Sequence, residues 1–148
     1  MADLTTQLTR FLTRLQASVG LGAPTFAAQG RTVGAVAAVT SVATHTPAAD
    51  GSFIVSANIL VTTATNHSFT TTVTYKDTGG TARTLTVPFV LVAGTAITTT
   101  IGNASGTVPY HGIPLHVRAQ AGTAITVATT GTFTTVVYNV EATIQKLA

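Results

Sequence analysis

The chain has no cysteine and no tryptophan, and its one methionine is the first residue. Without thiols there is neither a disulfide framework nor a cysteine zinc site. Charge is almost as scarce. Asp, Glu, Lys and Arg make up 7% of the 148 residues, against about 25% in an average soluble domain. That excludes a coiled-coil rod or a charge-laced helical bundle, both of which need Glu and Lys in quantity. Long apolar runs are missing too. The longest weakly apolar stretch, residues 33–43, is interrupted by Thr40 and Ser41 and falls short of the ~20 residues of a membrane helix. The start, residues 1–7, lacks a basic segment followed by an apolar one, so neither a signal peptide nor a membrane partner is expected.

The scarcity of charge also limits chemistry. The acids are Asp3, Asp50, Asp77 and Glu141. Asp50 and Asp77 each stand in a Gly-containing turn, where Asp is common for backbone reasons, and Asp3 suits a helix start. One remaining acid cannot form the carboxylate pair of a glycosidase, and no nucleophile-elbow sequence is present. The expectation is therefore a protein that is not an enzyme, with no catalytic residues. The histidines are His45, His67, His111 and His116. His111 and His116 could approach one another across the bend at residues 112–114, but two imidazoles without nearby carboxylates do not make a metal site. No metal and no cofactor are expected. The net charge of +3 and pI of 9.8 rest on Arg10, Arg14, Arg31, Lys76, Arg83, Arg118 and Lys146, which are scattered rather than clustered. Nucleic-acid binding, which needs several cations together, is not expected.

What the chain does have is threonine, 33 times, within a 45% hydrophobic composition. Such a composition lies on the folded side of the disorder boundary. The first 20 residues differ from the rest. Leu4, Leu8, Phe11, Leu15 and Val19 recur at helical steps, which predicts a short amphipathic helix ended by Gly20 and Gly22. Its first steps also match a coiled-coil seam. Residues 20–30, with three glycines and a proline, read as a linker or extended arm. The predicted organisation is thus a helix and arm over 1–30 and a β domain over 31–148.

From Arg31 onward the pattern is β. Residues 31–44 carry apolar or small side chains on both faces, suiting a strand covered on both sides. Phe53, Val55, Ala57, Ile59 and Val61 alternate over 52–63, and Phe69, Thr71, Val73 and Tyr75 over 68–76. The run Lys76-Asp77-Thr78-Gly79-Gly80 predicts a hairpin turn, with a return strand over 81–91 that Pro88 places at an edge or a bulge. A short strand follows over 96–101. Residues 102–112 read as a long surface loop in which Tyr110 is either an exposed anchor or a packing residue. Further strands are expected over 113–119, 123–129 and 132–144. About eight strands at intervals of 8–12 residues mark an antiparallel sandwich or barrel. The fold class expected is all-β, a jelly-roll-like antiparallel sandwich of about eight strands with a short N-terminal helix. The competitor is an immunoglobulin-like sandwich, whose Cys and core Trp are missing here. Thr, β-branched and polar, suits strand surfaces.

Three stretches carry a resemblance: residues 50–63, residues 67–75 with 81–86, and residues 112–118 running on through Gly131-Thr-Phe133 to Tyr138-Asn-Val-Glu141. Together they resemble structural proteins of tailed bacteriophages, and among these the small jelly-roll proteins that decorate capsids as trimers. The resemblance covers roughly residues 31–145. It implies a homotrimeric decoration or cement protein that stabilises the phage head. Its partners would be copies of itself and the major capsid protein. Its place would be the capsid surface of the virion, after a host-cytoplasmic stage during assembly. The alternative is a head-fibre or tail receptor-binding module, using the loop over 102–112. For the contact between subunits, the residues themselves point to Leu4, Leu8, Phe11, Leu15, Val33 and Val36. Arg10, Arg14 and Arg31 are the candidates for docking on an acidic capsid rim.

Overall fold

The computed structural model describes residues 24–64, 66–91, 97–102 and 106–147. The helix expected over 1–20, with Leu4, Leu8, Phe11, Leu15, Arg10 and Arg14, lies outside the described residues. Within them the chain is all-β, and two antiparallel sheets form a sandwich. The larger sheet runs β1 (Thr25–Ala35), β12 (Val136–Lys146), β3 (Gly51–Ala64), β9 (Val108–Gly112), β6 (Phe89–Leu91) and β7 (Ile97–Thr98), with β10 (Leu115–Ala119) also on β3. The smaller sheet runs β2 (Ala43–His45), β11 (Ile125–Phe133), β4 (His67–Lys76) and β5 (Ala82–Thr86), with β8 (Ile101–Gly102) also on β4.

The core lies between the sheets and follows the alternation of the sequence. Phe53, Val55, Ala57, Ile59 and Val61 of β3 point inward, as do Val136, Tyr138, Val140, Ala142 and Ile144 of β12. Phe69 and Val73 of β4 meet them from the other sheet, with Ile125 and Val127 of β11. Each Val, Ile or Phe among them contributes about 1.5–3 kcal/mol by leaving water. Phe69 packs between Phe133 and Tyr138, with ring centroids 4.9 and 4.8 Å away. Threonine takes the outer positions of the smaller sheet. Thr44, Thr126, Thr74 and Thr84 stand directly opposite one another across its four strands, and Thr44 and Thr126 hydroxyls are 3.2 Å apart. This row gives the sheet a polar exterior without a charge.

Four local expectations are corrected. The arm over 20–30 is in part a strand: β1 begins at Thr25 and pairs with β12 across the expected boundary at 30/31. Gly30 is needed there because a Cβ would collide with the Val42 carbonyl oxygen, where β1 passes the start of β2. The strand expected over 31–44 is broken instead, since β1 ends at Ala35. Gly34 takes φ +67° in a bulge, and its N–H donates to Asn139 Oδ1 at 2.8 Å. The chain then crosses to the smaller sheet. The return strand expected over 81–91 divides at Val87-Pro88, with β5 in one sheet and β6 in the other. Finally, residues 108–112 of the expected loop form β9. Pro109 stands opposite Leu60 of β3, directly before the stretch Tyr110–Gly112 over which β9 also pairs with β6.

Candidate functional site

Alternation leaves β1, β12, β3 and β9 with one face turned away from the core, and register decides which residues share it. Arg31 stands opposite Glu141, Glu141 opposite Asn58, and Asn58 opposite His111. The row continues through Val90 of β6 to Ile97 of β7. One step along the strands, Asn139, Leu60 and Pro109 form a parallel row. Strands lie about 4.8 Å apart, so the head groups of adjacent strands stand side by side. The residues of both rows on β1, β12, β3 and β9 line an open depression of about 270 Å³.

Several head groups are held by specific bonds. Gln29 Nε2 donates to Glu141 Oε1 at 3.1 Å. His111 Nδ1 is 3.3 Å from Asn58 Oδ1. Asn139 Oδ1 accepts the Gly34 N–H. Arg31 takes no hydrogen bond or ion pair among the described residues, although Glu141 faces it across the ladder. The constellation therefore offers a guanidinium, a carboxylate, amides and an imidazole on a rigid sheet. Among the described residues no acid stands beside Glu141 in the ladder.

The other sequence candidates fall elsewhere. Val33 and Val36 are exposed, at 64% and 61%, rather than covered on both faces. Phe26, at 68%, is the exposed aromatic of the same edge strand, and an Ala-rich arm gave no reason to single it out. Arg31 belongs to the mixed row just described. Tyr110 is buried, packed edge-on against Phe89 at 6.4 Å, which settles it as a packing residue. His116 pairs with Ile54 whereas His111 pairs with Asn58. Four residues of strand, about 13 Å, therefore separate the two imidazoles. No group of three or more potential metal ligands occurs among the described residues. The turn acids serve the backbone, as expected. Asp50 Oδ1 accepts the Ala121 N–H at 2.7 Å. Asp77 accepts the N–H groups of Gly79 and Thr81 and the Arg83 guanidinium. Chiefly the Thr81 N–H, and then Arg83, hold its carboxyl below the usual carboxylate range. No helix among the described residues is long and apolar enough to cross a membrane.

No protein-family model matches the chain, and no curated protein matches it. Among solved structures the chain is similar to the C-terminal family 22 carbohydrate-binding module of Xyn10B from Clostridium thermocellum. The identity is 16% and the TM-score 0.30, over 72% of this chain and 64% of that one.

Proposed function

We propose that the chain is a non-enzymatic structural protein of a tailed-phage virion, a homotrimeric jelly-roll decoration or cement protein that stabilises the head. The observation that carries this reading is the edge strand β1. Phe26 and Val33 on it, and Val36 directly after it, are more than three-fifths exposed in a single chain. Soluble proteins normally blunt an edge strand with charge or proline. An apolar edge is instead a surface to be covered, and here a second copy covers it. The jelly-roll reading is supported by strand order. β1-β12-β3-β9 and β2-β11-β4-β5 are the two four-stranded sets that interleaved Greek keys leave behind. The Thr exterior supports assembly too, since a neutral polar face is covered at lower desolvation cost than a charged one.

The test is to purify the full chain, measure its mass by light scattering, and sediment it with phage capsids that lack it. A trimer that co-sediments and protects the capsids from heat supports the proposal. A monomer that stays in the supernatant contradicts it.

A second reading, an adhesion module of a head fibre or tail, is favoured by the row Arg31–Glu141–Asn58–His111. The loop assigned to that role by sequence is partly strand β9, and this strand supplies His111 to the row. Binding of labelled protein to intact host cells, lost when the row is substituted, is its test.

A further inference from the structure

We infer that the depression on the outer face of the larger sheet is a binding site for one ring of a neutral saccharide. The inference deepens the adhesion reading and rests on it. It is independent of whether the protein sits on a capsid.

The chemistry of the row selects the ligand class. Arg31 and Glu141 carry opposite charges on adjacent strands, so the site favours neither an anion such as phosphate nor a cation. What remains is directional hydrogen bonding. Arg31 offers guanidinium donors that no group among the described residues takes. Glu141 has one oxygen committed to Gln29 and a second open to accept. With its Nδ1–H donating to Asn58 Oδ1, His111 presents Nε2 as an acceptor, and Asn58 keeps its amide N–H₂ as a donor. A ligand that meets donors and acceptors in alternation must accept and donate in turn, and is best built of groups able to do either. A sugar hydroxyl does so, and successive strands about 4.8 Å apart match the width of one pyranose ring.

Size and floor agree. At about 270 Å³ the depression lies just below the range of ligand pockets, which starts at about 300 Å³. It therefore takes one ring of a longer chain rather than a whole oligosaccharide. Leu60 and Pro109 in the adjacent row give the C–H face of the ring an apolar floor. An extended peptide fits less well, because of the strands that line the depression β12, β3 and β9 are paired on both sides at the row and only β1 is terminal in the sheet.

The experiment uses the ¹⁵N-labelled full chain titrated with maltose, cellobiose, lactose and N,N′-diacetylchitobiose, and with glucuronate and sialic acid as acidic controls. The expected result is a saturable shift of the Arg31, Asn58, His111 and Glu141 amides by at least one neutral sugar in the millimolar range or below. In Asn58→Ala, affinity falls by about tenfold, the loss of one hydrogen bond. Asn58 is exposed, and an unchanged far-ultraviolet spectrum confirms that the variant folds. Glu141→Gln, which keeps the shape and removes the charge, is the second variant and weakens binding as well. No saturable shift at these residues with any neutral sugar overturns the inference. So does affinity unchanged from the wild type in both variants, or a preference for the acidic controls. If saccharides fail while the protein still binds host cells through this row, only the ligand class is wrong. If cell binding fails too, the adhesion reading falls with it.

Discussion

The Tyr138 hydroxyl, buried between the sheets, lies 2.7 Å from Thr129 Oγ1 and donates to the Ala37 carbonyl at 2.7 Å. The Val39 N–H donates to Thr129 Oγ1 in turn, at 2.9 Å. Proton counting then orders the chain: Val39 N–H to Thr129, Thr129 to Tyr138, Tyr138 to Ala37. Two side chains from neighbouring strands of opposite sheets thus pin the crossing segment that follows β1. They hold the base of the exposed apolar edge.

Tyr138→Phe removes the donor to the Ala37 carbonyl and the acceptor of the Thr129 O–H, while Thr129 Oγ1 still accepts the Val39 N–H. Chemical denaturation is expected to show a loss of about 1–3 kcal/mol. Thr129→Val costs a similar amount, and the double variant costs less than the sum because the groups form one network. Additive losses would show that the two bonds act separately.

Burial raises the Tyr138 pKa above its ordinary value of 10.0, with the Thr129 bond opposing in part. The folded state then holds its proton where the unfolded chain has released it. The associated stability is present below pH 10.0 and is lost as pH rises through the folded value. Thermal melts of the wild type are expected to fall on the alkaline side of pH 10.0. Because burial raises Tyr110 as well, Tyr138→Phe reduces that fall without abolishing it.

His67 shifts in the opposite direction. It is buried beside Phe69, with rings 5.8 Å apart, and desolvation lowers its pKa below 6.5. Below pH 6.5 the unfolded chain takes up a proton that the folded chain refuses. Stability is therefore full above pH 6.5 and is lost as pH falls toward the folded value. His67→Leu removes this component, so the difference in stability between the two proteins is expected to change across that window. A constant difference from pH 7 to pH 4 contradicts the assignment.

Gly30→Ala places a methyl group against the Val42 carbonyl oxygen. Overpacking of this kind costs about 1–3 kcal/mol, read by denaturant titration. It is expected to loosen β1 locally, seen as faster amide exchange at residues 28–32 than at β3. Uniform exchange across both strands would mean that β1 is not a separate edge element.

The sequence made β3 and β4 legible because each has one buried face, and alternation records that directly. The turn at Asp77 was legible because its bonds are local. β1 was not, since Gly20, Gly22, Pro24 and Gly30 signal a break, whereas Gly30 is required by a close approach to a residue twelve positions away. β9 was hidden for a related reason: Pro109 signals a loop, and only its pairing with Leu60, distant in sequence, makes it part of a strand. The row Arg31–Glu141–Asn58–His111 was the least legible. Arg31, Asn58 and Glu141 read locally as isolated polar groups on strands and His111 as part of a loop, and only register between strands distant in sequence brings the four together.

The central claim is that the exposed edge of β1 is covered by other copies of the chain. Light scattering of the full-length protein at micromolar concentration, beside Val33→Asp/Val36→Asp, tests it most directly. The account predicts a wild-type mass three times the 15.0 kDa of one chain. It predicts a shift toward monomer in the variant, with its circular dichroism unchanged. A wild-type monomer, or a trimer untouched by both substitutions, would contradict it.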